Sequence, residues 1–455
     1  MTSKAAFIAA HRFGLGPRPG ELKTIAKDPQ GWVAAQIGPV PLPKSFERFP
    51  SSEEITTKLS LSGQETRKTF KQELRKQQRA EDLETMRVKV TTNRPFAERM
   101  VAFWANHFSV TAGRAMTKDL VHAYEREAIR PYVFGSFNEL AFSAITHPGM
   151  VEYLDNGNSF GPNSPIGKRR KAKINENLAR ETLELYTLGV NGGYTQEDVE
   201  ELAKILTGWG LMSPQMARVK NRFADKFPNQ EFSRRIGYGE YFPLVHEPGP
   251  KTVLGKTYEE EGPQELRRVV DDLAAHPSTA TFIATKLCRH FVDDNPPLIA
   301  VNKIANVFMQ TNGDLAQVSL ALVQLEEAWL EPLPKAKSPH DFAVATFRAL
   351  QADNAEAPIL LPGMNIMGQK LHSAPSPQGW PDEETAWFNP ASLMRRIEWS
   401  RQISKKLGKG WNPRNVLEQT IGPVASEEIR QVVRGAPSST DAIAFVLASR
   451  EFQRR

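Results

Sequence analysis

Cysteine is almost absent from this chain: Cys288 is the single one in 455 residues. One thiol excludes an intramolecular disulfide and a cysteine-ligated zinc site. Cys288 falls in an apolar helical pattern, so it reads as a buried thiol and not a reactive one. Long apolar runs are missing as well, and a membrane-spanning helix needs about 20 such residues. The opening MTSKAAFIAAHRFGLG has only a short apolar stretch, ended by His11-Arg12 without a small-residue cleavage site. It reads as a helix and not a signal peptide, which predicts a protein made without its own export signal and cytoplasmic. Charge of either sign is in little excess, 58 basic against 52 acidic residues for a net +6. So mild a surplus gives no argument for nucleic acid as a partner. No strand-to-helix nucleophile elbow is read, no Gly-x-x-x-x-Gly-Lys phosphate loop and no strand-borne dinucleotide fingerprint, which disfavours the enzyme classes built on them.

What is present is helix signal. At 40% hydrophobic and 24% charged residues the chain has an ordinary globular composition and is long enough for a large core. Two short helices are predicted at 4–13 and 20–37 around the Gly14-Leu15-Gly16-Pro17 turn. Residues 52–90, dense in Lys, Arg, Glu and Gln, predict one exposed helix held by side-chain pairs three and four apart. Helices follow at 95–109, 118–130, 136–147, 175–188, 196–207, 263–274 and 277–292, with a basic mobile loop at 158–173. Residues 213–262 carry little helical period; Tyr241-Phe242 and Thr252-Val253-Leu254 suggest a small β-hairpin or ordered loop. The proline-rich stretch Trp329 to Pro339 marks the expected boundary between a main lobe, 1–330, and a smaller helical lobe, 340–455. The expected fold is all-α: a multi-helix, bundle-like main lobe, a C-terminal helical lobe, and a minor hairpin region around 220–260.

The chemistry rests on polar residues set among apolar ones. On a wheel at about 100° per residue, Ile174, Leu178, Leu185 and Leu188 form one stripe, with Glu181 inside it. A buried carboxylate without a partner costs several kcal/mol, so Glu181 must be neutral, paired or bound to a cation. Glu176, Arg180 and Glu184 lie opposite and read as a surface ion-pair ladder. Thr195 and Asp198 are an N-cap pair for the next helix. His107 shares the apolar face of Phe96, Met100, Phe103 and Trp104; Glu125 lies within the arc of Val121, Tyr124, Ala128 and Ile129, with His122 at its edge.

Glu125, Glu181, His107 and His122 are therefore expected to point inward from three helices. Three readings stand side by side. The residues form a structural network with arginines; or they ligate a divalent or di-iron-type metal, for which only His122-x-x-Glu125 is present and no Glu-x-x-His; or one glutamate is a general acid or base. On the last reading Glu125, Glu181 and His107 are the catalytic candidates. Arg180, His246 and Trp380 are candidate binding residues, His246 and Trp380 because they stand in irregular segments, where ligand contacts concentrate. His276 reads as a cap and His290 as core. Two functions follow from different classes: an accessory or binding protein with a buried carboxylate, histidine and arginine centre, or an enzyme, metal-dependent on the second reading.

The stretches His11 to Gly16, Phe103 to Phe108, Tyr124 to Glu127, Tyr153 to Asn156 and Gly161 to Pro165 resemble a bacterial family catalogued as a domain of unknown function, number eighteen hundred. So do Asn175 to Trp209, His276-Pro277, Lys286-Leu287, His290-Phe291, Met367 to Gln369 and Gly379 to Pro381. The resemblance supplies no reaction or substrate. It implies a sulfatase-like companion protein and, through it, joint export to the periplasm as the alternative to a cytoplasmic location.

Overall fold

A computed structural model describes residues 3–113, 115–223, 226, 231–259, 262–330, 333–352 and 357–455. It is 63% helical with 25 α-helices and 4% strand, so the all-α expectation holds, with a minor β region. No described helix is long and apolar enough to cross a membrane.

Local signals place many of the helix starts. Ser51 and Glu54 form a reciprocal capping box before Ser52–Leu61, and Thr195 with Asp198 does the same before Gln196–Leu206. His276 accepts the Ser278 amide and caps Pro277–Phe291 as expected. The charged stretch 52–90 is two helices, Ser52–Leu61 and Gln64–Thr91, broken at Ser62-Gly63. The second is not exposed throughout. Gln78, Glu81, Glu84 and Lys89 on it are buried, and other helices carry partners for three of them: Glu81 accepts from Arg126 at 2.6 Å, Gln78 donates to the Lys118 carbonyl and Lys89 meets His340. Three further helices fall outside the predicted set, Pro214–Phe223, Leu298–Gln310 and Leu315–Gln324.

The predicted hairpin forms differently. Tyr241 belongs to a three-stranded sheet of Trp209–Gly210, Gly239–Tyr241 and Arg234–Ile236, while Lys251–Val253 pairs with Lys256–Tyr258. The cause is a tight turn: Leu254 and Gly255 both have positive φ (52° and 74°), as a two-residue type I′ hairpin loop requires. Residues 158–173, expected as a basic mobile loop, carry a single helical turn, Gly167–Arg170, and Asn163 is held by Glu247 through two hydrogen bonds.

Three helical segments pass into wider π turns, at Ala9–Phe13, Glu125–Ile129 and Thr182–Tyr186. Such turns shift the side chains that follow out of α-helical register and concentrate at functional positions. One apolar core runs through the molecule and includes Phe7, Trp104, Tyr186, Phe291, Phe342 and Phe452. The expected boundary at 329–339 does not interrupt it. Lys335 and Lys337 there are fully buried, and Ala336 forms an antiparallel bridge to Arg454. Buried polar pairs tie the C-terminal helices to the earlier ones: Arg99 to Asp341 at 3.0 Å, Arg348 to Glu21 at 3.1 Å, and Lys89 to His340 at 3.3 Å.

Candidate functional site

Two of these pairs, Arg99–Asp341 and Lys89–His340, line a cavity of about 390 Å³. Its walls come from the helices Pro95–His107 and Pro277–Phe291, the start of Pro339–Ala349, and the irregular segment 369–383. The irregular wall is fixed by hydrogen bonds to the first helix and the chain just after it. Asn106 accepts the Trp380 amide at 2.7 Å and donates to the Trp380 carbonyl at 2.9 Å. Ala112 donates its amide to the His372 carbonyl, and Thr111 its hydroxyl to that of Ala374. Gly379 lies so close to Asn106 that a Cβ there would sit 2.4 Å from the Asn106 carbonyl oxygen. His372 adopts a left-handed backbone (φ 50°), a conformation uncommon for residues other than glycine and held here by those bonds.

His372 brings two distant residues into play. Asp82, on Gln64–Thr91, has its Oδ1 2.9 Å from His122 Nε2 and 3.6 Å from His372 Nε2. The two imidazole rings are 4.4 Å apart between centroids. Ligand atoms of all three residues lie within 4.8 Å of one another. Donors about 2.1 Å from a common ion sit roughly 3–4 Å from each other, so these spacings suit a shared cation. They also suit a carboxylate accepting from two neutral imidazoles. Burial raises the Asp82 carboxyl, but the bonds from His122 and His372 outweigh it and hold the group well below the usual range. Burial lowers His372, and Asp82 and Glu125 more than reverse that, leaving it raised.

Glu125 lines the same cavity, at the start of its π turn. Burial raises its carboxyl; Lys89, His372, Arg130 and His122 together bring it below its ordinary value. Further along the wall, His290 Nδ1 donates to Asp382 at 2.8 Å, while its Nε2 has no hydrogen-bond partner. Burial pushes His290 down to about 4 despite that carboxylate. Burial also pushes Lys286 down to about 8, with Asp382 opposing and Arg289 adding to the shift.

The structure separates the residues expected to converge. Glu125 and His122 stay together; Glu181 and His107 do not join them. Glu181 is half-buried and raised by burial and by Glu184, against Arg180. The π turn that follows it breaks the regular wheel on which it was placed in the stripe. His107 touches the cavity wall but is a core histidine, its Nε2–H donating to the Tyr186 carbonyl at 3.1 Å, and burial holds it well below its ordinary value. Arg180 sits in the surface ladder with Glu176 and Glu184. His246 is buried between the Thr207 carbonyl and Glu265, away from the cavity. Trp380 does line the cavity, and its ring packs on Trp387 at 5.9 Å. His290, expected as core, stands on the cavity wall.

Asp82, His372, Asp382 and Lys286 were not among the candidates. Asp82 is hidden in a charged helix, and His372 and Asp382 in a Pro- and Gly-rich segment whose irregularity was the one available signal. The letters Gly-x-Ser-x-Gly do occur, at Gly157 to Gly161, but not as an elbow. Ser159 follows a 3-10 turn and no strand, is buried, and accepts the Asn175 amide.

With the geometry in place, the resemblance has a direct test. Residues 8–454 match the family described as protein of unknown function, DUF1800. The chain belongs to that family. No curated protein and no solved structure matches it. Family membership therefore supplies no activity, and function must be argued from the cavity.

Proposed function

We propose that this DUF1800 member is a metal-dependent enzyme, with a divalent transition ion held by Asp82, His122 and His372 and with Glu125 beside it. One observation carries the reading: two imidazoles and a carboxylate, from three segments far apart in sequence, converge within 4.8 Å, and one of them, His372, lines the cavity beside Glu125. Mixed nitrogen and oxygen donors of this kind suit zinc or iron and leave coordination positions open for a substrate. When bound, such an ion supplies Lewis-acid polarisation of a substrate oxygen. The chain supplies the rest. Asp382 fixes the His290 tautomer by accepting its Nδ1–H, which leaves the Nε2 lone pair free to accept a proton from a bound group. Asn106 holds the segment bearing His372 and Asp382 in place.

The resemblance adds a sulfatase-like companion and joint export to the periplasm, and nucleic acid is not among the proposed partners. Metal analysis of chain purified without chelator tests the core of the proposal. Close to one equivalent of a transition metal is expected, lost in Asp82→Asn and His372→Gln variants that keep their helical circular dichroism. A metal-free chain that takes up no added zinc or iron, and that co-purifies with a companion protein, would move the reading to an accessory protein.

A further inference from the structure

The cavity wall carries more positive charge than its carboxylates balance. Six Lys and Arg residues line it, among them Arg99, Lys286, Arg289 and Arg455, against four Asp and Glu residues. Behind the wall the imbalance deepens. Asp341 is shared by Arg99 at 3.0 Å and Arg455 at 3.6 Å, and it also faces Lys337 and Arg396. Lys337 is fully buried and bonds a histidine and a carbonyl, not a carboxylate. Buried positive charge in excess of its counter-charges is costly and calls for an anion from elsewhere.

Polar atoms on the same wall are short of partners. Arg455 is 1% exposed and lines the cavity, yet its Nε and Nη1 make no hydrogen bond. Its ionic contacts are both long, Nε to Asp341 at 3.6 Å and Nη2 to Asp382 at 3.5 Å. His290 Nε2 is likewise buried without a partner. Lys286 lies over the Phe282 ring at 5.5 Å and, although Asp382 and Glu383 act on it at longer range, forms no salt bridge among the described residues. A guanidinium edge and an ammonium, both facing one cavity, match the acceptor-rich geometry of an oxyanion.

We infer that Arg455 and Lys286 form an anion subsite that takes a carboxylate or phosphate group of the ligand bound in this cavity. The inference rests on the proposal above only in taking the cavity as the ligand site; none of the three metal ligands belongs to the subsite. It narrows the substrate class to small molecules or peptide ends that carry an oxyanion.

The test uses the full chain, treated with chelator and dialysed, and titrated calorimetrically with inorganic phosphate and separately with succinate at constant ionic strength. Saturable binding of at least one anion is expected, weakened tenfold or more in Arg455→Gln and in Lys286→Gln. The arm that binds more tightly says whether a phosphate or a carboxylate is preferred. The bound anion should also protect Lys286 from reductive methylation, read by peptide mass. Lys286 is half-exposed, so its variant and the protection assay still decide the matter if Arg455→Gln fails to fold. Absence of saturable binding by both anions overturns the subsite. So does binding that appears only after metal is restored and survives both substitutions, a result that would leave the metal reading intact. Binding by chelated protein that both substitutions weaken supports the subsite even if no metal is ever found.

Discussion

Replacing Asn106 by Ala removes the pair of hydrogen bonds that joins the Pro95–His107 helix to the Trp380 backbone. Each such bond is worth about 1 kcal/mol net, so local attachment of the 371–383 segment should weaken by about 2 kcal/mol. At room temperature that is roughly a thirtyfold rise in the open population of the segment. The global effect is small by comparison. A chain of this size unfolds with an entropy near 1 kcal/mol per degree, so the melting temperature should fall by only about 2 °C. Hydrogen exchange read by mass spectrometry separates the two: peptides covering 371–383 should exchange about thirty times faster, while those of Pro277–Phe291 stay unchanged. Asn106→Asp keeps the acceptor for the Trp380 amide and loses only the donor, so it should fall between wild type and Ala. Unchanged protection of 371–383 in Asn106→Ala, or equal loss across the whole chain, would refute the view that this side chain holds the cavity wall.

Acid should destabilise the fold above the range where carboxylates titrate. Burial lowers His11, His107, His147, His290 and His340, and His290 reaches about 4, whereas the unfolded chain binds those protons near 6.5. The unfolded state then holds more protons between about pH 6.5 and 4, and stability falls as pH drops through that window, by roughly 1.4 kcal/mol per unit for each histidine. His372 is raised and opposes this only near the top of the window. Denaturant midpoints equal at pH 7 and 5.5 would contradict it. Gly379→Ala should loosen the same segment as Asn106→Ala, because its φ of 88° and the Asn106 carbonyl both resist a Cβ; protease nicking confined to 371–383 is the readout, and wild-type resistance would count against the close contact. Glu265→Gln should cost about 3–5 kcal/mol, since it leaves Lys251 buried without its 3.1 Å partner; a melting temperature within a degree of wild type would refute that cost.

Helix signals were legible in the sequence because they are local. Capping boxes at Ser51-Glu54 and Thr195-Asp198 act within four residues, and so does the Glu176-Arg180-Glu184 ladder. Glu125 and His122 were visible for the same reason, as one turn of one helix. Their partners were not. Asp82 is an acidic residue among many on a helix whose burial depends on what packs over it, and His372 reaches it only through a fold-back some 290 positions later in the chain. The wheel on which Glu181 was placed assumes α geometry throughout, and the helix leaves it just after Glu181, where a π turn rotates every later side chain and no local pattern announces it. His290 was legible as inward-facing, but whether an inward histidine meets core or cavity is set by the segment opposite, which carries Asp382.

The ionic seam explains why such a site can exist here at all. An apolar interface between the early helices and the C-terminal ones would bury more surface favourably but fix register weakly. Arg99 with Asp341 and Lys89 with His340 are buried, and Arg348 is buried against a partly exposed Glu21. Buried pairs of this kind add little net stability compared with apolar packing, because desolvation offsets the attraction. What they specify is position. The helix that carries Arg99 also carries Asn106, and the segment clamped by Asn106 carries His372 and Asp382. Register set by the seam is thereby passed to the two places where the cavity has chemistry: the imidazole facing Asp82 and the carboxylate orienting His290. Charge left over beside the same seam, on Arg455 and Lys286 at the cavity wall, is what makes one end of the cavity positive. Positioning of the cavity wall and attraction for an anion thus share one physical origin, a cation-rich junction buried between helices that meet only in the folded chain.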